Sequence, residues 1–300
     1  MAVHQHGDRL VGHLPARPGA PGGVVGQRVG HAVAALVGAA VGDVVGERDA
    51  HEGDLGVQCA RDPRYIVKLA VEGGFNGIAI QIGTAEKFYW DYAGEVPLVL
   101  KLNGRTEIPP ADEPRSPLNA TVEDAVRLGA DAVGYTLYVG SPQQEADFEA
   151  FAAVRQDAHH YGIPLIVWSY PRGSAVDAKG GKNSLYQVDY AARTAAELGA
   201  DIVKLNFPDP TATGGVPKSY AAELGEQEAV NAVVRSAQRT PVLLSGGEKA
   251  GDDEVVEKAR MSMEAGAIGL IFGRNVWQRQ YDESIRFVGR LRELLEKYPS

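Results

Sequence analysis

A single cysteine, Cys59, among 300 residues excludes an intrachain disulfide and any multi-thiolate metal site. One thiol suits a reducing compartment, so the cytoplasm is the expected location. Basic residues are also scarce. Thirty Lys and Arg stand against 39 Asp and Glu, a formal net charge of -9. Nucleic-acid binders neutralise phosphates with clustered cations, so that class is not expected. Long apolar runs are missing too. The longest, about residues 32 to 42, is rich in Ala, Val and Gly and stops at Asp43, far short of the roughly 20 residues that cross a bilayer. No membrane span is expected, and the first 17 residues lack the basic-then-apolar order of a secretory signal.

The N-terminal stretch lacks much more. Residues 2 to 58 use only Ala, Val, Gly, Asp, Glu, Leu, Pro, His, Gln and Arg. The codons of all ten can begin with G or C, which is what a shifted frame in a GC-rich gene would yield. Residues 1 to 58 therefore read as an aberrant low-complexity segment translated out of frame or from a misassigned start, with a natural Gly/Ala/Pro-rich extension as the alternative. Five of seven histidines, His4, His6, His13, His31 and His51, lie there at spacings that fit no metal site, and no metal is expected.

Residues 59 to 300 read as one domain of alternating elements. The pattern predicts helices over Pro63–Glu72, Thr84–Tyr92, Thr121–Leu128, Gln144–Tyr161, Leu185–Leu198, Glu226–Gln238, Asp253–Ala265 and Asp282–Lys297. Strands are expected over Gly77–Ile82, Val96–Leu102, Ala130–Tyr138, Ile163–Tyr170, Asp201–Phe207, Pro241–Ser245 and Ala267–Phe272. A junction recurs at Leu128-Gly129-Ala130-Asp131, Leu198-Gly199-Ala200-Asp201 and Ala265-Gly266-Ala267, each a glycine helix stop feeding a strand. Seven strands alternating with helices leave a (β/α)8 TIM barrel one strand short. The first strand is therefore expected to be missing or aberrant, within the N-terminal segment. A doubly wound open sheet ranks second, because no Gly-x-Gly-x-x-Gly follows a first strand.

One strand carries an unusual residue. Lys204 sits among Ile202, Val203, Leu205 and Phe207, a run buried on both faces in parallel sheets. A lysine held away from water favours its neutral amine, which can attack a carbonyl to form a Schiff base. Snorkelling to water is the ordinary alternative. One strand earlier, alternation puts Trp168 and Tyr170 on the same face at the carboxyl end. A phenol beside an amine can carry protons, and an indole can wall off the site. Packing explains such aromatics singly, but their coincidence with a buried lysine favours chemistry. At the ends of the seventh and eighth strands, Ser245-Gly246-Gly247 and Gly273-Arg274 fit the position where barrels bind phosphate through backbone N–H groups.

These pieces, with Trp168-Ser169-Tyr170-Pro171-Arg172-Gly173 and Leu98-Val99-Leu100-Lys101-Leu102-Asn103-Gly104, resemble the archaeal-type class I fructose-1,6-bisphosphate aldolases of the deoxyribose-phosphate aldolase-like superfamily. The similarity spans about Arg61 to Lys297. It implies reversible, metal-independent cleavage of a phosphorylated ketose, with Lys204 forming the Schiff base, Tyr170 moving the proton and Trp168 shaping the site. It implies Ser245, Gly246, Gly247, Gly273 and Arg274 as phosphate ligands, and Lys101 and Arg172 as further substrate contacts. It also implies no cofactor, phosphorylated ketose and aldose substrates, and a homo-oligomer built as a ring or double ring. The family's Asp-His-Gly at the end of its first strand is missing from this chain. The competing readings are a related Schiff-base enzyme, such as an aminodeoxyheptulosonate synthase or a processor of a phosphorylated signalling sugar, and a non-catalytic phosphate-sugar binding protein.

Overall fold

A computed structural model describes the backbone of residues 35–39 and then residues 62–298, except 107, 111, 223 and 246–249. Eight parallel strands close a barrel in sequence order. They are β1 (Ala35–Ala39), β2 (Gly77–Gln81), β3 (Leu98–Lys101), β4 (Ala132–Val139), β5 (Leu165–Pro171), β6 (Ile202–Leu205), β7 (Val242–Ser245) and β8 (Gly269–Phe272).

The expected gap at the first position is spanned by β1, whose backbone pairs with β2 and β8. An unclosed barrel would leave ladder groups unpaired on both sides of the opening, which favours even an Ala/Val/Gly stretch there. The strand remains aberrant in content, since Ala35, Leu36, Val37, Gly38 and Ala39 offer no ionisable group. The remainder of the 1 to 58 segment, with its five histidines, lies outside the described residues, as does Cys59.

The helices wrap the barrel: α1 (Arg64–Glu72), α2 (Ile82–Thr84), α3 (Val122–Arg127), α4 (Gln144–Tyr161), α5 (Ser174–Asp177), α6 (Leu185–Leu198), α7 (Glu226–Ser236), α8 (Asp252–Glu264), α9 (Arg274–Trp277) and α10 (Tyr281–Leu295). The expected helix over Thr84–Tyr92 is irregular. After α2 the chain makes a π-turn over Ala85–Tyr89 and a 3-10 turn over Trp90–Tyr92. Elsewhere the local signals act as written. Thr121 and Asp124 form a reciprocal capping box at the start of α3.

The recurrent junction has a physical explanation. Gly129, Gly199 and Gly266 take φ of 67°, 97° and 88°, the left-handed region that ends a helix at little cost to glycine. After Gly129 and Gly199, the aspartate two residues on then clips neighbouring strands. Asp131 Oδ2 accepts a hydrogen bond from Leu98 N at 2.8 Å, and Asp201 Oδ2 accepts one from Leu165 N at 3.0 Å.

The main core lies between the strands' outer faces and the helices, with Val67, Leu98, Phe151, Val203 and Leu291 fully buried. A second cluster of Ala79, Val99, Ala132, Ile166, Trp168, Leu243 and Ile271 fills the barrel interior. This plug leaves the strands' carboxyl ends as the place for a site. Among the described residues, no helix is long and apolar enough to cross a membrane.

Candidate active site

Inside the barrel, β5 presents Ile166, Trp168 and Tyr170 in succession. Trp168 is 1% exposed, while Tyr170 at the rim is half-buried. Lys204 of β6 stands beside Trp168 in the strand register and is 7% exposed. Its Nζ donates a hydrogen bond to Tyr170 Oη and lies 4.6 Å from that ring's centroid.

A second lysine lies against the same strand. Lys101, the last residue of β3, is 0% exposed. Its Nζ donates to Thr136 Oγ1 at 2.8 Å and sits 4.1 Å from the Trp168 ring centroid. Trp168 thus carries Lys101 on its ring face, a cation–aromatic contact that contributes about 2 kcal/mol when desolvated, whereas Tyr170 holds Lys204 through its hydroxyl. Arg172 stacks beyond them, its guanidinium carbon 5.2 Å from the Tyr170 centroid and its Nη1 donating to Pro171 O at 2.8 Å.

The neighbouring strand fixes this cluster. Asn103, fully buried just past β3, binds both backbone polar groups of Thr136: its Oδ1 accepts from Thr136 N at 2.7 Å and its Nδ2 donates to Thr136 O at 2.8 Å. The side chain continues the β3–β4 ladder where the backbone departs. Gln81 Nε2 donates to Asn103 O at 3.2 Å, and Asn119 Nδ2 donates to Gln81 Oε1 at 3.0 Å, extending the network to the rim. Behind β4, the buried Asp147 of α4 accepts from Tyr138 N at 3.0 Å and Tyr135 Oη at 2.8 Å. Burial holds the Asp147 carboxyl above its usual range, although both hydrogen bonds oppose the shift. Burial, with the Asp147 carboxylate second, pushes the Tyr135 phenol far up. This clamp fixes the upper half of β4 against its helix.

On the opposite side, Ser245 ends β7 and Gly273 precedes α9, which begins at the exposed Arg274. Asn275 joins the two loops: its Oδ1 accepts from Ala250 N at 3.1 Å and its backbone oxygen accepts from Arg279 Nε at 2.6 Å. A short helix after β8 is the usual companion of a barrel phosphate site. Gly246 and Gly247 lie outside the described residues.

The sequence model of the DeoC/LacD family aldolases matches residues 41–279. The chain belongs to this aldolase family. It is 43% identical over 235 residues to a class 1 fructose-bisphosphate aldolase of Thermoproteus tenax, covering 78% of this chain and 80% of the relative. It is 38% identical over 225 residues to one of Halobacterium salinarum, covering 75% and 78%. Among solved structures, an archaeal fructose-1,6-bisphosphate aldolase with its catalytic lysine covalently bound to the carbinolamine intermediate of its substrate superposes with a TM-score of 0.73 at 37% identity. That match covers 88% of this chain and 94% of the solved one. The family match begins two residues after β1 ends, so the first strand stands outside it.

Lys204, Tyr170, Trp168, Lys101 and Arg172 therefore share one mouth, as their strand positions suggest. Sequence reasoning missed Thr136, Gly134 and Asn103. Alternation along β4 puts Gly134, Thr136 and Tyr138 on one face, and that signal was available. The pairing of Asn103 with a residue 33 positions away was not. Among the described residues, no group of three or more His, Cys, Asp or Glu is placed to hold a metal ion.

Proposed function

We propose that this chain is a class I fructose-1,6-bisphosphate aldolase that works through a Schiff base on Lys204. The observation that carries the reading is the pairing of an enclosed amine with a phenol, Lys204 Nζ on Tyr170 Oη, at the carboxyl end of a barrel whose family is aldolase. The substrates of the named relatives support the choice of sugar.

Lys204 Nζ attacks the C2 carbonyl of the open-chain ketose bisphosphate, giving a carbinolamine that loses water to an iminium ion. The C3–C4 bond then breaks, its electron pair entering the iminium to form an enamine. Tyr170, left as a phenolate after giving its proton to the hydroxyl that departs from the carbinolamine, takes the proton leaving the C4 hydroxyl as that carbon becomes the aldehyde of glyceraldehyde 3-phosphate. The same proton returns to C3, and water hydrolyses the imine to dihydroxyacetone phosphate and free Lys204. The iminium is the electron sink, so the mechanism calls for no metal. Trp168 walls the site from water, while Lys101 and Arg172 present positive charge to substrate oxygens. Ser245, Gly246, Gly247, Gly273 and Arg274 hold one phosphate.

Borohydride reduction in the presence of fructose 1,6-bisphosphate tests the assignment. Mass spectrometry should find one stable adduct, on Lys204, and Lys204→Met should abolish both adduct and cleavage while retaining the fold. An adduct that persists in the Met variant would overturn it. No adduct in the unaltered chain would favour a binding protein instead.

A further inference from the structure

The barrel interior has one point where two functional side chains meet a backbone with nothing to spare. A Cβ placed on Gly134 would lie 2.7 Å from Trp168 Cζ3, 3.1 Å from Trp168 Cη2 and 2.9 Å from Lys101 Cδ. Contacts below 3.0 Å do not survive, so something would have to move. Neither neighbour is loose, since Trp168 is 1% and Lys101 0% exposed. Gly134 lies in regular strand β4 and is not among the glycines with positive φ, so an alanine backbone would be unstrained there. The glycine is present for space rather than for conformation.

We propose that Gly134 is a positioning residue for the aldol chemistry. Lacking a Cβ, it lets the Trp168 indole lie across β4 and carry the Lys101 ammonium on its face, which fixes that second cation relative to Lys204 and keeps both side chains low in the barrel. A methyl group at 134 lifts the indole and the Lys101 stem into the volume above Lys204, where the iminium must form. This rests on the Schiff-base reading given above. It adds the residue that sets the geometry of two groups without touching substrate itself.

The test is a double-mutant cycle on the full chain, using Gly134→Ala and Trp168→Phe. A phenyl ring stops short of where Cζ3 and Cη2 lie, so it removes both indole contacts and leaves space into which the flexible Lys101 stem can shift from its own 2.9 Å contact. Gly134→Ala alone should lower kcat at least tenfold with KM changed less than threefold, circular dichroism remaining native. In the Trp168→Phe background the same alanine should change kcat less than threefold. An alanine that costs the same factor in both backgrounds, or nothing in the Trp168 protein, overturns the proposal. If the single variant fails to fold, folding of the double variant supports the clash at the indole, and failure of both overturns it. Borohydride labelling of the unaltered chain is run alongside. Its failure removes the Schiff-base reading and this proposal together, whereas failure of the alanine comparison removes only the role of Gly134.

Discussion

Replacing Thr136 with Val should destabilise the protein by removing one oxygen atom from its interior. The two side chains have nearly the same shape, and the backbone bonds between residue 136 and Asn103 survive. What disappears is Oγ1, the acceptor 2.8 Å from the fully buried Lys101 ammonium. A hydrogen bond to a charged group contributes about 1.5–3 kcal/mol when its loss leaves a buried partner short of a contact. For a domain of this length each kcal/mol corresponds to about 2–4 °C in Tm, giving an expected fall of roughly 3–12 °C. The assay is thermal denaturation followed by circular dichroism at neutral pH. Its control is the same substitution in a Lys101→Met protein, where the buried hydroxyl has lost its amine partner and Val should be at least as stable as Thr. An equal fall in both backgrounds, or none in either, would refute the idea that Thr136 is present to hold Lys101.

Three further outcomes are expected. Tyr170→Phe should slow turnover by roughly 10²- to 10⁴-fold, the usual effect of removing a positioned acid or base, while borohydride still labels Lys204; an unchanged rate would make Tyr170 a packing residue. Arg274→Ala should raise KM for phosphorylated ketoses far more than for unphosphorylated ones, and equal effects would speak against a phosphate contact. Burial pushes the Tyr89 phenol up to about 12 from its usual 10, and its Oη donates to Val96 O at 2.6 Å. A phenol whose folded pKa is raised stabilises fully below pH 10 and loses that contribution as pH rises through 12. Tyr89→Phe should therefore be less stable at pH 8 but decline less steeply from pH 10 to 12 in urea midpoints; parallel pH curves would contradict this.

The barrel was legible in the chain because helix stops, apolar runs and junction aspartates repeat along it, each a local signal. Lys204 was legible because a charge inside an apolar run stands out, and Tyr170 and Trp168 because alternation fixes their shared face. The first strand was hidden by composition: Ala35–Ala39 has no local property that separates it from the Ala/Val/Gly stretch around it, and only unpaired neighbours on both sides call for it. The Ile82–Tyr92 stretch also escaped, since apolar periodicity does not distinguish an α-turn from a π-turn. Within the site, Asn103 and Thr136 act through partners on an adjacent strand, and Gly134 matters through the space it leaves. Alternation along β4 puts Gly134 and Thr136 on one face, but the partner each serves lies on another strand and is not written in β4 itself.

The clips at Asp131 and Asp201 bear on how such a barrel comes together. They tie residues 33 and 36 apart, one strand–helix unit each, so β3 can be stapled to β4 and β5 to β6 while the rest of the chain is still unformed. The seam between β1 and β8 is different, pairing Ala35 with Gly269. Closing a loop that long costs roughly 2 kcal/mol more in chain entropy than closing one sector, by the logarithmic growth of loop closure. That seam should then close last, after β1 has paired with β2, and the joint with the highest closure cost falls on the barrel's least specified strand.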